Sequence, residues 1–203
     1  MVEKAVIIAA GKGSRLKDSK SDLPKPLVKV AGVSLLKRTI LSAMQAGVRE
    51  FVIVIGYRGE EVQKEIQSDF QIAVHIDWVL NSDWESGNGT SVLKAQKFVQ
   101  GPFLLLMSDH LFDPEAIARV QSLPLSEKEV RVCVDFRIKS IFDLEDATKI
   151  LLDRNRILQI GKELVSFNAI DTGIFLCGSN IFNAIEDSVA TGDGSLSGGI
   201  RAL

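Results

Sequence analysis

The chain has 203 residues, 46% of them hydrophobic and 25% charged, with a net charge of −2. That composition fits one folded domain with a sizeable core and excludes both a disordered chain and a basic nucleic-acid binder. Apolar runs are short, as in Phe103 to Met107, so no transmembrane helix, secretory signal or membrane contact is read, and a cytoplasmic protein is expected.

From the N-terminus, Ala5–Ala10 reads as a strand apolar on both faces, and Phe51–Ile55, Ala73–Val79 and Phe103–Met107 repeat the pattern. Strands of that kind belong in a parallel sheet covered on both sides. Amphipathic segments separate them. Leu36, Ile40 and Met44 recur at helical spacing, Val62 and Ile66 do the same, and Val92, Ala95 and Gln96 fall in a third helix after Gly89. Asp113-Pro114 reads as a helix start, the Asp capping and the Pro in the first turn. The expected fold class is therefore α/β, a doubly wound and mostly parallel Rossmann-like sheet.

The second half changes character. Val130–Phe136, Ala147–Leu152, Ile157–Ile160 and Asn168–Leu176 are strand-like, with Asp153-Arg154-Asn155-Arg156 as a hairpin turn. They predict a small antiparallel extension. A last helix carries Ile181, Ile185 and Val189 on one face. Residues 1–125 and 126–203 are thus two halves of a single domain. Cys133 and Cys177 sit in apolar strand-like runs and read as buried thiols rather than a disulfide. Gly192 to Gly199 reads as loop, and the domain is expected to continue beyond Leu203.

The loop after the first strand is the densest signal. Ala9-Ala10-Gly11-Lys12-Gly13-Ser14-Arg15-Leu16 is followed by Pro24-Lys25-Pro26-Leu27. Glycines bring backbone N–H groups close to an anion, and the Arg and Lys supply positive charge. A dinucleotide fingerprint requires a third glycine where Leu16 stands, and an acid after the second strand where Ile55-Gly56-Tyr57 stands. A Walker loop has a different glycine spacing. A nucleotidyltransferase loop, Ala-Ala-Gly-x-Gly-x-Arg-Leu followed by Pro-Lys-Pro-Leu, has all of its residues present and in order; the plain alternative is a tight strand-to-helix turn with a surface Arg and Lys.

Ala9 to Leu16 with Pro24 to Leu27 resembles the signature of the sugar-1-phosphate nucleotidyltransferase family. Ser108-Asp109-His110, Ala147-Thr148-Lys149 and Ala169 to Phe175 are similar to the CTP:inositol-1-phosphate cytidylyltransferases within it, a group often fused to a membrane phosphotransferase. The resemblance implies transfer of CMP from CTP to a phosphorylated polyol, inositol 1-phosphate, with Mg²⁺ as cofactor, no nucleic-acid partner, and a homodimer as one possible assembly.

The resemblance also assigns roles. The backbone of Ala9, Ala10, Gly11 and Gly13 holds the nucleotide, Arg15 the leaving phosphates, and Lys25 the α-phosphate and incoming phosphate. Asp109, just past an apolar strand, is the expected Mg²⁺ ligand, because that is where open α/β sheets place chemistry. Gly89, Thr90 and Ser91 match the segment that approaches the base, with an ordinary polar loop and Thr90 as a helix cap as the alternative. Asn81 and Glu85 either read cytosine or belong to an ordinary polar loop. Lys162 matches a family lysine, although Gly161 and Glu163 depart from the pattern around it. Lys162 and Lys149 each either hold the incoming phosphate or lie in solvent. Asp171 either binds acceptor hydroxyls or completes the metal site, a place the family usually fills from a later segment.

Two other readings stay open at this stage. One keeps the chemistry but uses a sugar 1-phosphate or phosphocholine with UTP, dTTP or CTP. The other is a nucleotide-binding regulatory module without catalysis.

Overall fold

Ala5, Val6 and Ile7 have no exposed surface, so their strand must lie inside a sheet covered on both faces. The structure is a computed structural model that describes residues 2–13 and 23–203. Its strands are β1 (Lys4–Ala9), β2 (Lys29–Val30), β3 (Val33–Ser34), β4 (Glu50–Ile55), β5 (His75–Leu80), β6 (Phe103–Met107), β7 (Val130–Asp135), β8 (Lys149–Asp153), β9 (Arg156–Gly161) and β10 (Ala169–Cys177). Its helices are α1 (Leu35–Gln45), α2 (Gly59–Gln67), α3 (Asn88–Lys94), α4 (Pro114–Gln121), α5 (Ile181–Ala190) and α6 (Leu196–Ala202).

The main sheet runs β5-β4-β1-β6-β10-β8-β9, and β7 also pairs with β10. β5, β4, β1 and β6 are parallel, as their apolar runs predict. β10 runs antiparallel to β6, β7 and β8. The antiparallel extension is thus continuous with the parallel sheet through a single long strand. β2 and β3 form a separate two-stranded hairpin that the sequence pattern did not suggest.

Side chains alternate along each strand and feed two cores. Ile7, Ile53, Leu104 and Leu106 point to one face, where Leu36 and Ile40 of α1, Val62 and Ile66 of α2 and Ile117 of α4 cover them. Val6, Val52, Leu105 and Phe175 point to the other, under Val92 of α3, Ile181 and Ile185 of α5 and Leu196 of α6. Phe103 and Phe182 stack there, with centroids 5.3 Å apart. Each large side chain buried in this way contributes about 1.5–3 kcal/mol relative to exposure.

The Asp113 cap is as expected, accepting from the Glu115 N–H at 2.9 Å. Several local expectations shift. The third strand starts at His75 rather than Ala73, and α3 stops at Lys94, with Gln96–Phe98 forming a separate 3₁₀ turn. Val189 is exposed, and Phe182, Ala184 and Ser188 join Ile181 and Ile185 on the buried face of α5. Both cysteines are free. Cys177 is buried, which pushes its thiol pKa up, while Cys133 is half-buried.

The largest correction is at the C-terminal end, where residues 196–202 form a helix rather than a loop. Glycine is a poor helix former, costing about 1 kcal/mol relative to Ala. Here its missing side chain is what the packing requires. A Cβ on Gly199 would lie 2.3 Å from Ile185 Cγ1, and one on Gly198 would lie 2.3 Å from Ser188 Oγ. Two glycines let α6 rest directly on α5.

Candidate active site

The C-terminal ends of β1 and β6 open onto a cleft of about 480 Å³. Open α/β sheets bind ligands at this end. A larger cavity, about 730 Å³, lies beside Lys4, Glu50 and Phe98 at the opposite ends of the strands. It has no glycine loop and no carboxylate–histidine cluster.

Gly11, Gly13, Lys25, Ser91, Asp109 and Lys162 all line the first cleft. Gly11 is exposed, whereas Ala9 and Ala10 are buried beneath it and shape the loop from behind. Gly13 has φ +68°, and a Cβ there would lie 2.5 Å from Lys25 Cβ. The residue must therefore be glycine for the loop and Lys25 to sit together. Lys25 begins a 3₁₀ turn between Pro24 and Pro26, a stiff base for its charge. Arg15 and Leu16, the rest of the loop signature, lie outside the described residues.

Asp109 stands two residues past the end of β6. Lys25 Nζ lies 2.5 Å from its Oδ2, and His110 Nδ1 lies 2.8 Å from its Oδ1. Burial alone would raise the Asp109 pKa. The hydrogen bond and charge of His110, together with Lys25, outweigh burial and hold the carboxyl well below the usual carboxylate range. The same contacts act in reverse on His110. Burial would lower its pKa, but Asp109, helped by Asp171, raises it. The His110 ring also stacks on Phe112 at a centroid distance of 6.0 Å.

Asp171 lies beside this cluster, where the pairing of β10 with β7 slips between Asp171 and Phe175. Its Oδ1 accepts from the Gly173 N–H at 2.7 Å. Burial pushes its pKa up to about 6, against that hydrogen bond and the attraction of His110, while the charge of Asp109 adds to the rise.

Lys149 and Lys162 have different surroundings. Lys162 Nζ lies 2.5 Å from Asp146 Oδ1 at the rim of the cleft. Lys149 Nζ donates to the backbone carbonyl of Lys162 and sits 5.9 Å from the centroid of the Phe167 ring. Lys149 therefore braces the strand end that carries Lys162.

The proposed base readers also separate. Asn81 is fully buried, donating from Nδ2 to Ser91 Oγ at 3.0 Å and accepting at Oδ1 from the Asp83 N–H at 3.0 Å. Both ends of its amide hold the loop, so Asn81 faces protein rather than the cleft. Glu85 is exposed, Thr90 Oγ1 donates to the Gly87 carbonyl at 2.7 Å, and Gly89 N–H donates to the Gly194 carbonyl at 2.9 Å. Trp84 and Asn88 line the cleft instead. Trp84 packs edge-on against Tyr57, with ring centroids 5.7 Å apart. The signal for it was present as an aromatic residue inside a polar loop.

Asp109 is the described carboxylate on the cleft wall, and its ionised state suits a hard divalent cation that takes one or two carboxylates plus phosphate oxygens. Among the described residues, no group of three or more His, Cys, Asp or Glu is placed to cage a metal, and no helix is long and apolar enough to cross a membrane.

Comparison with known proteins agrees with this geometry. A bifunctional IPC transferase and DIPP synthase from Rubrobacter xylanophilus is 37% identical over 174 residues, covering 85% of this chain and 38% of that protein. A protein of the same description from Aquifex aeolicus is 33% identical over 189 residues, covering 93% and 42%. The chain thus spans less than half the length of these relatives. The solved inositol-1-phosphate CTP transferase from T. maritima superposes with a TM-score of 0.81 at 31% identity, covering 98% of this chain and 80% of that one. Residues 5–138 match the MobA-like NTP transferase domain, and the chain belongs to that nucleotidyltransferase family.

Proposed function

We propose that this chain transfers CMP from CTP to inositol 1-phosphate, giving CDP-inositol and pyrophosphate. The observation that carries this reading is the convergence of Lys25, Asp109 and Lys162 on one cleft above Gly11 and Gly13. The choice of cytosine and inositol rests on the relatives' described activities.

The chemistry requires little beyond placement. A phosphomonoester oxygen forms a bond to the α-phosphorus of CTP, and the bond from that phosphorus to the bridging oxygen breaks. The electron pair leaves with pyrophosphate. The nucleophile is already an anion, so no general base is needed. The barrier is repulsion between two anions, which fixed positive charge and alignment reduce. Lys25 lines the cleft and would bridge the two phosphates, Lys162 would hold the incoming phosphate, and Asp171 would accept hydrogen bonds from acceptor hydroxyls. Arg15 is assigned to the leaving phosphates on its sequence motif. Asp109 would hold Mg²⁺, which when bound supplies neutralising charge to the phosphates. Lys25 and His110 keep that carboxylate ionised and oriented.

Pyrophosphate release measured over four nucleoside triphosphates and a panel of phospho-alcohols tests the proposal. Turnover is expected with CTP and inositol 1-phosphate. Turnover only with a different base or acceptor would replace the substrates, and no turnover with any CTP pairing would overturn the function.

A further inference from the structure

The C-terminal segment joins the two sides of the cleft. On the nucleotide side, the Gly194 carbonyl accepts from the Gly89 N–H and Asn88 Oδ1 accepts from the Leu196 N–H, each at 2.9 Å. Both contacts lie in the first turn of α3, and Asn88 lines the cleft. On the acceptor side, Arg201 Nη1 donates to the Ile160 carbonyl at 2.5 Å, two residues before Lys162.

The two ends are connected within the segment. Arg201 Nη2 lies 2.5 Å from Asp193 Oδ2, Asp193 Oδ1 accepts from the Ser195 N–H at 2.9 Å, and the Asp193 carbonyl accepts from Ser188 Oγ at 2.8 Å. A polar path therefore runs from the loop that opens α3, through Gly194, Asp193 and Arg201, to the strand end that carries Lys162. α6 is pressed onto α5 through Gly198 and Gly199, which makes the path a rigid connector rather than a tether.

We infer that residues 193–201 form a clip through which nucleotide binding sets the position of Lys162, with Arg201 and Asp193 as its positioning residues. The inference rests on Lys162 being the acceptor contact. Among the described residues, β9 is the outer strand of the sheet and pairs only with β8 along its length, so its end depends on side-chain ties. Arg201 suits this role because its planar fork reaches two acceptors at fixed angles, and a lysine reproduces only part of that. A nucleotide that orders Asn88 to Ser91 holds Gly194 and Asp193 in place, which in turn holds Arg201 on the Ile160 carbonyl. Thermodynamic reciprocity then requires the acceptor to tighten nucleotide binding by the same factor.

Hydrogen–deuterium exchange of peptides covering residues 86–91 and 157–163, with and without CTP, reads the clip directly. In the unsubstituted protein CTP should slow exchange in both peptides. In Arg201→Gln it should slow only the first. The KM for inositol 1-phosphate should then rise about two- to tenfold, the loss of one or two hydrogen bonds, while CTP affinity measured without acceptor stays nearly unchanged, and Arg201→Lys should restore part of the acceptor KM. Asp193→Asn, which keeps its backbone partners, gives the same comparison if Arg201→Gln does not fold. Persistent CTP protection of 157–163 in either folded variant overturns the clip, as does protection confined to 86–91 in the unsubstituted protein. Lys162→Met separates the underlying assignment: an unchanged acceptor KM there overturns the role of Lys162, and the clip with it.

Discussion

Asp171 is where stability and binding pull in opposite directions, and Asp171→Asn separates them. Its carboxyl is pushed up to about 6 from an ordinary 3.8. The folded chain therefore binds this proton better than the unfolded chain does. The resulting stability is fully present below about pH 3.8 and is lost as pH rises through 6. The difference, 6 − 3.8, is about 2 units, which at ~1.4 kcal/mol per unit caps the effect at about 3 kcal/mol. Asp171 is partly open to solvent, so a discounted ~1–2 kcal/mol is expected. Asparagine keeps the oxygen that accepts from Gly173 and carries no charge. At pH 7.5 in EDTA, Asp171→Asn should raise Tm by about 2–8 °C; at pH 4 the gain should nearly vanish. The same variant should bind acceptor less well, because a neutral amide accepts hydrogen bonds from hydroxyls less strongly than a carboxylate. Thermal melts at the two pH values decide the matter. Equal stabilisation at both, or none at pH 7.5, would refute the argument that burial of charge at the β10 slip costs stability.

Lys25→Met should lower kcat by about 10²-fold or more while leaving the fold intact, since it removes fixed charge from the reacting phosphates; circular dichroism and steady-state kinetics check both halves. Gly13→Ala forces an L side chain to φ +68° with its Cβ 2.5 Å from Lys25 Cβ, so kcat/KM should fall by about tenfold through displacement of Lys25, and a variant with unchanged kinetics would contradict the packing. EDTA should abolish turnover and Mg²⁺ restore it, with Asp109→Asn requiring at least about tenfold more Mg²⁺ because one carboxylate is replaced by a weaker ligand; calorimetric titration of Mg²⁺ with CTP present reads this independently of rate. Gly199→Val should destabilise by about 1–3 kcal/mol, the cost of overpacking against Ile185, and denaturant unfolding with an unchanged midpoint would contradict the close approach of α6 to α5.

What could be read from the sequence follows the range of the signal. β1 and β6 announce themselves because a strand covered on both faces is an unbroken apolar run, and their helices show helical spacing. Gly11, Gly13 and Asp109 were legible because each sits just past the end of a strand, and Lys25 because two prolines flank it; in each case the chemistry of the residue and its local setting are adjacent in the chain. Asn81 was not, because the choice between facing a base and bracing a loop depends on Ser91, ten residues away. The glycines of α6 misled because a missing side chain has two uses, freedom in a loop and close approach between helices, and only Ile185 and Ser188 decide which.

The side proposed for the acceptor, around Lys149 and Lys162, depends almost wholly on such distant partners. Lys162 is held by Asp146, 16 residues away, and its carbonyl by Lys149, 13 residues away. Arg201 reaches Ile160 across 41 residues. None of these pairs has a motif, because a hydrogen bond between separated strands constrains geometry and not spacing. On the proposed function, the phosphate half of the site is therefore written locally and the acceptor half is written in packing. This division also fits the chemistry: every nucleotidyl transfer needs the same charges around phosphate, whereas the acceptor is met by side chains whose placement the rest of the fold must supply.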